Sequence, residues 1–189
     1  MLNQIAAIHD GGGAAGGATS YESIASTTVG LGGTGFVEFT SIPSTYKHLQ
    51  VRMMTRGSIS AVGSNVDVQF NSDTGTNYWT HFLEGNGSAA SSSSAGGGSA
   101  LGIYAGWGAA ANAGSNIFGA GVWDILDYTN TNKVKVVRAL SGMDNNGSGV
   151  LLFNSGSWSG TAAITSMKIQ PNSGTFSQYS SFALYGIKG

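Results

Sequence analysis

From Tyr21 onward, apolar and polar residues alternate with period two over most of the chain. Leu49-Val51-Met53 interleave with His48-Gln50-Arg52, Val66-Val68-Phe70 with Asp67-Gln69, and Val134-Val136 with Lys133-Lys135. Successive side chains of a strand point to opposite faces, so each set predicts one buried valine-bearing face and one wet face. Candidate strands run Glu22–Val29, Thr34–Ile42, Tyr46–Arg56, Asn65–Asn71, Tyr78–Glu84, Ala100–Trp107, Asn116–Tyr128, Asn132–Met143, Val150–Trp158, Ala162–Gln170 and Phe176–Lys188. Turn chemistry separates them: Asp73-Thr74-Gly75, Thr129-Asn130-Thr131-Asn132, Asp144-Asn145-Asn146-Gly147 and Pro171-Asn172-Ser173-Gly174. No stretch repeats apolar residues at helical spacing. Many strands without intervening helices predict an all-β fold, an antiparallel two-sheet sandwich of jelly-roll type.

Three segments modify that picture. The last ten residues, SSFALYGIKG, carry Phe182 and Leu184 on one face and Ala183, Tyr185 and Ile187 on the other. Apolar groups on both faces predict an interior strand covered on both sides. Residues 85–100, GNGSAASSSSAGGGSA, hold nothing apolar larger than Ala and predict a long surface loop. Residues 1–20 combine an apolar head (Leu2, Ile5, Ile8) with a Gly-rich stretch, which predicts a flexible N-terminal arm ahead of a sandwich domain at 21–189. Leu2, Ile5 and Ile8 are the candidate partner-binding residues, because free in water they would be apolar groups with nothing to cover them.

Composition narrows the function. Only 9% of the 189 residues are charged and 31 are Gly, so the surface is coated with Ser, Thr, Asn and Gly. An ordinary soluble domain carries roughly 25% charge, and a surface this poor in it suits a subunit of a large assembly. Eight Lys and Arg against nine Asp and Glu leave no basic face for phosphates, which argues against nucleic acid. There is no Cys for a disulfide, a thiolate or a zinc knuckle. The opening residues lack the basic region of a secretory signal, and no run of ~18 apolar residues predicts a membrane span.

Few residues suggest chemistry. His9, His48 and His81 are scattered, whereas zinc needs three or four converging ligands. Asn71–Asn77 alternates oxygen-bearing side chains around Gly75, as a calcium loop does, but lacks the closing bidentate acid and reads as a hairpin turn. Gly156-Ser157-Trp158-Ser159-Gly160 places Trp where a nucleophile elbow needs Ser. Gly30–Gly35 leads into a strand pattern, not the helix a phosphate cradle requires. Asp124 and Asp127 fall on opposite faces of a strand, and nothing in the sequence brings Asp67 to Glu84. No catalytic residue, cofactor or metal is expected. Trp79, Trp107, Trp123 and Trp158 could stack on sugars, with core filling the expected use of Trp123 and Trp158.

Phe39–Arg52 (FTSIPSTYKHLQVR), Trp123–Arg138 (WDILDYTNTNKVKVVR) and the closing FALYGIKG, in this order and spacing, resemble small virion structural proteins of tailed bacteriophages. The resemblance spans about residues 34–189 and leaves the Gly-rich loop outside its matching segments. It implies a non-enzymatic subunit located in the virion and assembled in the host cytoplasm. Such a subunit would decorate or cement the capsid, or sit at the head or tail, in contact with other virion proteins. It implies a homo-oligomer, with a homotrimer the favoured form. The alternative is a tail-fibre or receptor-binding module that reads host surface glycans through exposed aromatics.

Overall fold

A computed structural model describes residues 20–96 and 102–189, and Leu2, Ile5 and Ile8 lie outside the described residues. Among the described residues there are twelve strands: β1 (Tyr21–Thr28), β2 (Val37–Phe39), β3 (His48–Thr55), β4 (Gly63–Phe70), β5 (Tyr78–Gly85), β6 (Ala90–Gly96), β7 (Ile103–Ala109), β8 (Gly119–Leu126), β9 (Lys135–Asp144), β10 (Gly149–Trp158), β11 (Met167–Pro171) and β12 (Ser181–Ile187). They form an eight-stranded sheet, β1-β12-β3-β8-β9-β10-β5-β6, and a four-stranded sheet, β2-β11-β4-β7. Every strand pairing within them is antiparallel.

The connectivity is that of a long hairpin rolled on itself. The pairs β1·β12, β2·β11, β3·β8 and β4·β7 join first strand to last and work inward. These eight strands make two four-stranded sheets and constitute a jelly roll. Two inserted strand pairs widen one of them. β5 and β6 lie between β4 and β7, β9 and β10 between β8 and β11, and β10 pairs with β5 to join the insertions into a four-stranded flank.

Alternation drives the packing between sheets. Leu49, Val51 and Met53 of β3, Trp123 and Ile125 of β8, and Phe182 and Leu184 of β12 face Val66, Val68 and Phe70 of β4, Ile103 of β7, and Met167 and Ile169 of β11, all buried in one core. Each such side chain contributes on the order of 1.5–3 kcal/mol of hydrophobic stabilisation. Beneath β7 the flank also buries polar groups, and these have a use. Thr80 Oγ1 accepts the Tyr104 N–H (3.2 Å), Ser141 Oγ accepts the Trp107 N–H (2.9 Å), and Asn154 Nδ2 donates to the Tyr104 carbonyl (3.0 Å). The edge of β7 thus bonds to side chains of the sheet it covers.

Four sequence expectations need correction or refinement. Ser180–Lys188 does hold an interior strand, β12 between β1 and β3, but within β12 only Phe182, Leu184 and Gly186 are buried; the opposite face is half-exposed. Residues 85–100 are not all loop, since Ala90–Gly96 pairs with β5 along its length through backbone hydrogen bonds that apolar periodicity does not register. The phase of the Lys133–Val136 alternation is reversed. Lys135 is fully buried while Val134 and Val136 are 48% and 39% exposed. The Lys135 ammonium donates to the carbonyls of Asn130 (2.5 Å), Lys133 (2.9 Å) and Thr161 (2.8 Å), so a charge occupies an inward position because backbone oxygens converge on it. Finally, Asp127 lies beyond β8 in a left-handed conformation (φ 49°), so its relation to Asp124 is not one of strand faces.

Candidate contact surface

The outer face of the eight-stranded sheet, turned away from the core, divides into two halves. On the jelly-roll half the side chains engage one another. Gln50 Nε2 donates to Asp124 Oδ1 (2.8 Å), and Arg52 Nε donates to Gln50 Oε1 (3.0 Å). The Arg52 guanidinium sits 5.2 Å from the centre of the Tyr185 ring. At the β1 edge, on the core side of the same sheet, Tyr46 donates its hydroxyl hydrogen to Glu22 (3.0 Å), and Lys188 is ion-paired with the same carboxylate. Those two contacts hold the Glu22 carboxyl below its ordinary pKa, the Lys188 hydrogen bond contributing most.

The flank half differs. One cross-strand rung aligns Val122, Leu140, Phe153 and Leu83. Leu140, Phe153 and Leu83 are 45%, 53% and 54% exposed, and Leu151, one rung away, is 62% exposed. Across that neighbouring rung Ala120, Gly142 and Gly85 are too small to fill the space beside Leu151. Arg52, Val122, Leu140 and Leu151 border the resulting open trough, of about 840 Å³. Gly142 is required there, because a Cβ on it would lie 2.4 Å from the Val150 carbonyl oxygen. On the other side of the apolar rung, Asp124, Arg138, Ser155 and His81 form a polar rung, followed by Val136, Ser157 and Trp79. Trp79, His81, Ser155, Ser157 and Val136 line a smaller depression of about 350 Å³.

Those residues singled out from the sequence that are described disperse over the molecule, and His9 lies outside the described residues. His48 Nδ1 accepts the Asp127 N–H (3.0 Å), whereas His81 stands exposed on β5. Asp127 takes ion pairs from Lys133 (2.7 Å) and Lys47 (2.9 Å), which hold its carboxyl down at about 2. In the Asn71–Asn77 turn the oxygens are committed internally: Asp73 accepts from Trp158 Nε1 (2.7 Å), Asn77 Nδ2 (2.9 Å) and the Gly75 N–H (2.8 Å). Asn71 Oδ1 accepts the Thr165 and Ser166 N–H groups. That turn is a structural knot rather than an open cation loop. Trp123 and Trp158 fill the core, as expected. Among the described residues no cluster of three or more His, Asp or Glu could hold a metal ion. Asp67 and Glu84 both act on the Tyr104 phenol, whose pKa is raised mainly by burial. Burial also raises the Asp67 carboxyl to about 6.

The sequence reading missed the exposed apolar rung. Leu140, Leu151, Phe153 and Leu83 all fall within expected strands, but period-two alternation does not state which face has a second sheet over it.

Comparison with known proteins leaves the fold as the firmest classification, a jelly roll widened by a four-stranded flank. No family model matches the chain, and no curated protein does. Among solved structures it aligns weakly with β-fructofuranosidase from Schwanniomyces occidentalis complexed with fructosyl-erythritol. That match has 6% identity and a TM-score of 0.26, covering 90% of this chain and 34% of that one. A variant of the same enzyme complexed with fructosylnystose gives 7% identity and a TM-score of 0.23, with the same coverage. The chain spans about a third of the length of either, and likeness at this level carries no argument about function.

Proposed function

We propose that this protein is a non-enzymatic structural subunit of a bacteriophage virion, a capsid decoration or cement protein or a head- or tail-associated subunit, and that it works through protein–protein contact. The observation that carries the reading is the apolar flank rung, Val122-Leu140-Phe153-Leu83 with Leu151 beside it, on a chain with only 9% charged residues. A cluster of large apolar groups left half-exposed on one sheet face has the character of an interaction site. The resemblance of residues 34–189 to phage virion proteins supplies the setting. The partner is another virion protein, and the sheet face is the part that becomes buried. Electron microscopy of particles labelled on this chain tests the reading. Label at a fixed position on head or tail is the expected result; purified particles without the chain would overturn it.

A second reading, a module that recognises host glycans, is favoured by one feature. Trp79 is 42% exposed beside His81, Ser155 and Ser157. An indole face flanked by hydroxyls and an imidazole can stack on a sugar ring and bond its hydroxyls. If that reading holds, the wild-type chain binds surface polysaccharide of the host and Trp79→Ala abolishes binding while leaving the fold unchanged. Equal retention of both proteins by the polysaccharide would sink it.

A further inference from the structure

The eight Lys and Arg side chains are few enough to follow one by one. Lys47 and Lys133 pair with Asp127, and Lys188 pairs with Glu22. Arg56 and Lys135 donate to backbone carbonyls. Arg52 donates to Gln50 and lies over the Tyr185 ring, and Lys168 lies over the Phe36 ring. Arg138 is the exception. Among the described residues no hydrogen bond, ion pair or ring contact engages its guanidinium.

Arg138 stands exposed on the outer face of the flank, in the rung Asp124-Arg138-Ser155-His81, which Ser94 of β6 extends. Asp124 is the carboxylate of that rung. It accepts Gln50 Nε2 (2.8 Å) and lies on the side of Arg138 away from Ser155. Neighbouring strands are ~4.8 Å apart, so Arg138 and His81 stand roughly 10 Å apart with the Ser155 hydroxyl between them. The His81 imidazole, too, has no hydrogen-bond or ion-pair partner among the described residues. An anion above Ser155 would meet donors on both sides.

The next rung supplies the opposite chemistry. Val136 and Trp79, both exposed, flank Ser157. Gly96, opposite Trp79 on β6, leaves the indole uncovered on that side; a Cβ there would lie 2.9 Å from Trp79 Cδ1. The two rungs shape the depression of about 350 Å³, at the small end of the range for ligand sites. Successive rungs on one face are roughly 7 Å apart, so a sugar ring laid on Trp79 carries a ring substituent toward Ser155.

We propose that this depression takes a carboxylate-bearing sugar, a hexuronate unit of an acidic polysaccharide. Its ring stacks on Trp79 and Val136, and its carboxylate meets the Arg138 guanidinium beside Ser155 and His81. A guanidinium offers parallel N–H groups that match the two oxygens of a carboxylate. A neutral sugar can use the indole and the hydroxyls but leaves the one unpartnered guanidinium idle. The inference rests on the glycan reading above and adds the charge that the ligand must carry.

Calorimetric titration of the full chain tests it with two polymers, polygalacturonate and the same polymer with its carboxylates reduced to hydroxymethyl groups. The acidic polymer is expected to bind roughly tenfold more tightly or better. Arg138→Gln should bring the two to equal affinity, and Arg138→Lys, which keeps the charge and loses the fork, should restore part of the difference. Trp79→Ala should weaken both. Circular dichroism matching the wild type shows that these losses are not loss of the fold. If the wild type binds both polymers equally, or Arg138→Gln keeps the full preference, the inference fails and the glycan reading stands. Dextran sulfate bound as tightly as polygalacturonate would mean that charge alone is read, and would also overturn it. If the wild type binds neither polymer the inference fails, and the glycan reading falls with it when the host polysaccharide is unbound as well.

Discussion

The jelly-roll half and the flank half of the large sheet are built alike on their inner faces and differently on their outer ones. Inside, both alternate buried side chains beneath the small sheet, Val51 and Trp123 in one half, Val137 and Leu152 in the other. Outside, the jelly-roll half joins Gln50, Asp124, Arg52 and Tyr185 in a closed network, while the flank presents Leu140, Phe153, Leu83 and Leu151. Stability requires the inner faces alone. Among the described residues no second sheet covers the outer apolar residues of the flank, and the proposed contact role would use them.

The largest effect should come from breaking the shared inner face. Trp123 is fully buried where the two sheets meet. Truncation to Ala leaves a cavity that the surrounding strands can only partly close, and the expected loss is about 3–5 kcal/mol. Denaturant titration measures it. A loss under 1 kcal/mol would mean that the sheets are not packed as described.

Next is the flank's own inner anchor, Lys135. Lys135→Met keeps the stem's volume but leaves three carbonyls without their shared donor. The expected cost is on the order of 2–4 kcal/mol, read as a lower denaturation midpoint. An unchanged midpoint would show that the charge adds nothing over an apolar stem at that site.

These two residues also mark how far the sequence was legible. Trp123 lies in a regular alternation whose inward side is apolar, so hydrophobic periodicity both found the strand and set its phase. At Lys135 the same rule found a strand but reversed its phase. Whether an ammonium can be buried depends on carbonyls contributed by residues 130, 133 and 161, which meet only after folding. β6 was missed for a related reason: a run of Ser has no apolar face, and its pairing is carried by backbone groups every residue possesses. The contact surface was the least legible. Which face of a strand receives a second sheet is a property of the assembled layers.

A smaller effect, of opposite sign, belongs to the four-stranded sheet. Burial raises the Asp67 carboxyl from its ordinary 3.8 to about 6. The native state therefore binds this proton more tightly than the unfolded chain. Stability should fall as pH rises from about 4 to about 6, then level off. Asp67→Asn removes the cost of ionising a partly buried acid, while the Asn172 amide, which donates to the carboxylate at 3.3 Å, keeps an oxygen acceptor. The variant should be more stable than wild type at pH 7 by on the order of 2 kcal/mol and should lack this slope. Thermal unfolding at pH 4 and pH 7 provides the check, and a variant less stable at pH 7 would contradict it.

The smallest stability change should accompany the largest functional one. Leu140→Ser with Phe153→Ser replaces two side chains of the flank rung that are about half exposed. Because each already faces water in the free protein, losing them removes only their mutual cross-strand contact, so the denaturation midpoint should shift by under about 1 kcal/mol. On a partner the same side chains would be covered fully. Full burial of such a side chain is worth on the order of 1.5–3 kcal/mol relative to exposure, and the half still exposed here leaves about half of that to be gained on docking, so removing both should weaken attachment to the particle roughly tenfold or more. Met54→Ser is the matched control, since Met54 is 52% exposed on the same face but in the jelly-roll half. It should leave both stability and attachment near wild type. If the flank pair loses stability as Trp123→Ala does, the rung belongs to the core. If it attaches as well as wild type, the flank is not the contact face, and the asymmetry between the halves needs another cause.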